Sequence, residues 1–78
     1  MEVKYTKQAG KTLISMNEPI KSRVIRGIDL LPHGDIKKLH GYLNTFRLRV
    51  GDYRVLFSIE NDIITIQSIL PRGEVYKR

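Results

Sequence analysis

Three arginines, Arg47, Arg49 and Arg54, stand closest together around a turn-forming pair, Gly51-Asp52. Arginine carries a rigid fork of N–H donors that fits phosphate oxygens two at a time and never gives up its charge. The segments on either side alternate in polarity: Phe46, Leu48 and Val50 against Thr45, Arg47 and Arg49, then Tyr53, Val55, Phe57 and Ile59 against Arg54, Leu56, Ser58 and Glu60. Two residues between alternating segments, with glycine first, fit a type II′ hairpin turn. That turn pairs Val50 with Tyr53, Arg49 with Arg54, Leu48 with Val55 and Arg47 with Leu56. Paired residues share a sheet face. Phe46, Leu48, Val50, Tyr53, Val55 and Phe57 therefore belong to a covered face, and the arginines gather on the other. That second face is expected to be flat or concave, wet and strongly positive.

Like charges placed side by side on a sheet repel, and a small domain has little stability to spare. A polyanion would relieve the repulsion, a phosphate backbone being the obvious one. The plainer alternative is that arginine stems shield an open face and block edge aggregation. The lack of carboxylates at positions 45, 47 and 49 argues against it. Beyond Pro71, Gly73 lets the chain turn back, which would bring Arg72 and Tyr76 over the arginine face. A tyrosine there can hydrogen-bond a phosphate or stack on an exposed base.

These residues need a scaffold. Glu2-Val3-Lys4-Tyr5 alternates and reads as a first strand. Thr6 can cap a helix over 7–16, with Ala9, Leu13 and Met16 on one face. Asn17-Glu18-Pro19 breaks it and starts a second helix, whose Ile20, Val24, Ile25, Ile28 and Leu31 keep helical spacing until Pro32-His33-Gly34-Asp35. The period then changes to two, giving strands over about 43–50, 53–60 and 63–70, the last pair joined by Asn61-Asp62. Carried through that turn without interruption, the register puts Gln67 and Ile69 on the arginine face and Ile64 and Ile66 in the core. The order β-α-α-β-β-β implies an α+β fold: an antiparallel sheet carrying a helix hairpin on one face.

Composition narrows the class. The 78 residues allow one domain, read as 1–78, and hold 14 Lys+Arg against 8 Asp+Glu for a net charge of +6. Nucleic acid, a ribosome or an acidic protein are the partners such a balance suits. With no cysteine there is no disulfide framework and no cysteine-based zinc site, and two histidines with scattered carboxylates make a metal cage an unpromising reading. No metal and no cofactor is expected. The first residues lack the apolar core of a signal peptide, and no apolar run nears the ~18–20 residues that cross a bilayer. A cytoplasmic protein without a membrane partner is the expectation.

Lys38-Leu39-His40-Gly41, Phe46-Arg47-Leu48-Arg49-Val50-Gly51-Asp52-Tyr53-Arg54-Val55 and Arg72-Gly73-Glu74-Val75-Tyr76, taken together, resemble the RelE/ParE toxin superfamily. The resemblance spans essentially the whole chain, most specifically residues 38–57 and 72–76. It implies a small α+β fold like that of microbial ribonucleases and a type II toxin neutralised by a cognate antitoxin that binds the helix pair and the sheet. It also implies oligomers formed mainly as the toxin-antitoxin complex. RelE-like members cleave mRNA in the A site of the 70S ribosome, whereas ParE-like members poison DNA gyrase. ParE-like chains usually lack the Arg…Tyr ending, so the tail favours the ribonuclease branch.

On that branch the resemblance implies catalytic roles for Arg47, Arg49, Arg54, Arg72 and Tyr76, with RNA contacts from Lys37, Lys38, Lys77 and Arg78. The 2′-hydroxyl of the RNA would attack the adjacent phosphorus and expel the 5′-oxygen. Arg54 with Arg47 or Arg49 would clamp the non-bridging oxygens, Arg72 would stabilise or protonate the leaving oxygen, and Tyr76 would orient or stack. This chain departs from the pattern at Arg47 and Arg49, where ribonuclease members can have lysine, one of them a general base. Arginine does not deprotonate and is a poor base. Lys38, His40 and Tyr76 are the other base candidates, none with convincing spacing, and His33 belongs to the helix-ending turn. The alternatives are the gyrase-directed toxin and a catalytically weak relative that keeps the basic face as a binding module.

Overall fold

A computed structural model of the chain describes residues 1–42 and 44–71. Its elements run β1 (Glu2–Tyr5), α1 (Lys7–Ser15), α2 (Ile20–Asp29), β2 (Ile36–Lys38), β3 (Thr45–Val50), β4 (Tyr53–Glu60) and β5 (Ile63–Pro71). The five strands form one sheet in the order β1-β5-β4-β3-β2. Neighbours are antiparallel except β1, which joins β5 parallel. A tight turn dictates opposite directions only to the strands it connects, and β1 reaches the sheet through two helices instead.

Each helix starts for a local reason. The Thr6 hydroxyl accepts from the Ala9 amide at 3.1 Å, capping α1. At α2 the Glu18 carboxylate accepts from both the amide (3.1 Å) and the hydroxyl (2.6 Å) of Ser22. Those two bonds hold the Glu18 carboxyl below its usual range. One helix covers each half of the sheet, α1 lying on β1 and β5 and α2 on β3. Gly27 lets α2 come close, since a Cβ there would stand 3.0 Å from Val50 Cγ2. Between the layers Ala9, Val24, Ile28, Leu48, Val55, Phe57, Ile64, Ile66 and Ile69 are buried. Phe46 stacks on Phe57 with ring centroids 5.5 Å apart.

The β3–β4 hairpin has the expected register, Val50↔Tyr53 through Phe46↔Phe57, with Gly51 at φ 58°. Three other expectations change. The second helix stops at Asp29, although Leu31 still packs against the core. A short edge strand, β2, adds to β3 with Lys37 opposite Arg47; three residues with two lysines are too short to show alternation. Third, β5 does not keep an unbroken register: Phe57 faces Ile66, but Leu56 faces Ser68. Gln67 is the extra residue of a bulge, and from there the alternation inverts. Ile69, expected beside the arginines, instead faces Val55 and is buried in the core.

Candidate RNA-binding face

The side of the sheet away from the helices carries Lys37 on β2, Thr45, Arg47 and Arg49 on β3, and Arg54, Leu56 and Ser58 on β4, as the register dictates. The structure therefore brings the three strand arginines and Lys37 onto one surface. It does not make that surface uniformly wet. Arg49 is exposed, but Arg54 is only 7% exposed and the Arg47 side chain only 11%. Arg54 sits on the central strand with Arg49 across one ladder and Leu70 across the other. Long stems on both sides crowd it, and its charge is held low in the face.

These two guanidinium groups are incompletely bonded. Among the described residues, Arg54 Nη1 donates to the Tyr53 carbonyl at 3.3 Å, while its buried Nε has no partner. Arg47 Nη1 lies 3.9 Å from the exposed Asp35 carboxylate, too far for a hydrogen bond, and is likewise buried and unpartnered. The Asp35 carbonyl accepts from the Arg49 amide at 3.0 Å, which fixes the loop before β2 against β3. Leaving charged donors buried and unmet is costly. An anion laid on the accessible part of either guanidinium would offset the charge held there.

Around this row lie two clefts that the strand pattern does not reveal. Lys37, Lys38, Leu39, His40 and Arg47 line one of about 500 Å³. Leu39, Tyr42, Thr45, Leu56 and Gln67 line another of about 230 Å³. Lys38 pairs with Phe46 and so belongs to the opposite face of β2, yet it borders the first cleft. His40 stands exposed on that rim, and the His33 amide donates to the Leu30 carbonyl at 2.8 Å within the turn after α2. The sequence offers Leu39, His40 and Gly41 through the resemblance, with His40 a base candidate, but nothing in it marks Asp35 or Tyr42, because only the pairing of β2 with β3 brings that loop to the arginines. Arg72, Gly73, Tyr76, Lys77 and Arg78 lie outside the described residues. Among the described residues no group of three or more His, Asp or Glu side chains is placed to hold a metal ion. Nor is any helix among them long and apolar enough to cross a membrane.

A helix pair on one side of a small, mostly antiparallel sheet and a row of arginines on the other are the arrangement in which this chain resembles the RelE/ParE toxin superfamily. Residues 3–76 match the family described as ParE toxin of the type II toxin-antitoxin system parDE, and the chain belongs to it. Toxin RelE3 of Methanocaldococcus jannaschii is 43% identical over 42 residues, 54% of this chain. The chain spans about half of that relative, 48%. Over longer stretches the chain is similar to a chain of the archaeal RelE-RelB complex from Pyrococcus horikoshii OT3. The identity there is 32%, the TM-score 0.78, and the coverage 94% of this chain and 96% of that one. The RelB-RelE antitoxin-toxin complex of Methanococcus jannaschii gives 30% identity, a TM-score of 0.80 and 94% coverage of both chains.

Proposed function

We propose that this chain is the toxin of a type II toxin-antitoxin pair and a ribosome-dependent endoribonuclease that cleaves mRNA. One observation carries the reading. Arg47 and Arg54 share a sheet face, are largely buried, and each keeps a guanidinium nitrogen without a partner among the described residues. Such a pair favours an added negative charge, and it does so most where charge peaks, on the phosphorane. In the proposed reaction the 2′-oxygen bonds to phosphorus, the bond to the 5′-oxygen breaks, and a 2′,3′-cyclic phosphate and a 5′-hydroxyl result. Arg54 and Arg47 clamp the non-bridging oxygens, and exposed Arg49 guides the strand in. Arg72 is assigned to the leaving oxygen and Tyr76 to orientation, on the sequence resemblance. Lys37, Lys38, Lys77 and Arg78 contact neighbouring phosphates. With arginine at 47 and 49, neither of those positions acts as base, and charge stabilisation and positioning by the ribosome supply the rate.

A cognate antitoxin is the proposed partner, because the solved relatives were captured as RelE-RelB complexes. It binds the helix pair and the sheet, and oligomers form mainly in that complex. The cytoplasm is the proposed compartment, where mRNA and the 70S ribosome are found. The test is to induce the chain alone and follow growth and mRNA ends, beside Arg54→Met and Arg72→Ala. Growth arrest with cuts in translated messages, removed by both substitutions, is the expected result. Arrest with intact messages and DNA breaks would replace the ribonuclease with a gyrase-directed toxin.

A further inference from the structure

The β5 bulge places two residues, Gln67 and Ser68, opposite the single residue Leu56. It is pinned from the other layer. The Thr6 hydroxyl that caps α1 also donates to the Gln67 carbonyl at 3.0 Å, across 61 residues of sequence. The extra residue is therefore held in place, and Gln67 lines the 230 Å³ cleft with Leu39, Tyr42, Thr45 and Leu56. This cleft differs in character from the rest of the face. Among the described residues its walls are two leucines and a tyrosine, with glutamine and threonine as the other lining residues, and no charged residue lines it. Leu56 is the link: it faces Arg47 across one ladder and the bulge across the other. With strands about 4.8 Å apart, the Gln67 backbone lies roughly 10 Å from that of Arg47, within the reach of one nucleotide.

We infer that this cleft is a nucleobase subsite in which an adenine, belonging to the nucleotide whose phosphate lies on Arg47, is read by the side-chain amide of Gln67. An apolar slot with few converging polar groups suits a flat aromatic ligand. Stacking on a tyrosine ring is the usual way a protein holds an unpaired base. A glutamine amide offers one donor and one acceptor side by side, the complement of the adenine N6 and N7 edge. The subsite deepens the ribonuclease reading and rests on it for the phosphate, but the base contact can be measured without catalysis.

The experiment is an NMR titration of the full-length chain with inorganic phosphate, adenosine 3′-monophosphate and uridine 3′-monophosphate, following arginine Nε–H, the Gln67 amide protons and the Tyr42 ring. Phosphate is expected to move the Arg47 and Arg54 signals alone. The adenosine nucleotide is expected to move the Gln67 and Tyr42 signals as well, and to bind about tenfold tighter than the uridine nucleotide, a preference that Gln67→Leu abolishes. Gln67→Glu, which offers acceptors only, should turn the preference towards guanosine 3′-monophosphate, whose base presents adjacent N–H donors. If the adenosine nucleotide moves the arginine signals and leaves Gln67 as phosphate leaves it, the base subsite is wrong and the phosphate site stands. If Gln67 responds but phosphate never moves the arginines, the subsite stands and the ribonuclease reading loses its anion site. No response at either place overturns both.

Discussion

The two hairpins of the meander are each closed by two residues, with positive φ at Gly51 in the first and at both Asn61 and Asp62 in the second, and only the first hairpin keeps its register. From Gly51-Asp52 the ladder runs without interruption from Val50↔Tyr53 to Thr45↔Ser58. From Asn61-Asp62 it runs as far as Phe57↔Ile66 and is then displaced by one residue. A turn sets the register of the pairs next to it, and every pair farther out inherits that register until an extra residue intervenes. In this sheet the difference has a purpose. The regular hairpin lines up the arginines, and the bulged one returns Ile69 to the core while keeping Gln67 beside them.

The largest expected effect tests the displaced ladder directly. Ile69→Ala should lower stability by about 2–5 kcal/mol, the range for a buried Ile cut to Ala. Leu70→Ala, on the half-exposed side, should cost clearly less. Urea unfolding of the two variants decides it, since an unbroken ladder would reverse their order. On the regular hairpin, Arg54→Met should raise stability by about 1–3 kcal/mol by removing a buried donor that has no partner among the described residues. Arg49→Met, an exposed change on the same face, should stay within about 0.5 kcal/mol. A destabilised Arg54→Met protein would mean that the buried guanidinium is fully satisfied. The turns themselves give the smallest change. Gly51→Ala puts a side chain at φ 58° and should cost about 1 kcal/mol, although no atom stands closer than 3.5 Å to the new Cβ. Asp62→Gly, at φ 65°, should gain up to a similar amount. Thermal melts resolve both.

The sequence disclosed what local rules govern. Alternation and the Gly51 turn placed Leu48, Val55 and Phe57 in the core and Arg47, Arg49 and Arg54 on the other face. Helical spacing found Ala9, Val24 and Ile28. What it concealed depends on contacts between distant segments. Nothing local marks Gln67 as the residue the ladder skips, because the bulge is held by Thr6 from the far end of the chain. The burial of Arg54 follows from its place on the central strand between Arg49 and Leu70, and strand order cannot be read from turns alone. Asp35 and the 39–42 loop reach the site only through β2, whose three residues are too few to show a period.

The parallel pairing of β1 with β5 bears on the order in which the molecule assembles. The amides of Glu2 and Thr6 bond to the carbonyls of Asp62 and Ile66, so this ladder closes a loop of roughly 60 residues. The β3–β4 and β4–β5 hairpins close loops of a few residues and can form early. Contacts so distant in sequence are the slow ones in folding. During synthesis the first strand has to wait for the last, and Thr6 cannot lock the Gln67 bulge until then. On this ordering, weakening β1 speeds unfolding and barely slows folding. The finished arginine face, with Gln67 fixed in its bulge, is thus the final product of the folding reaction.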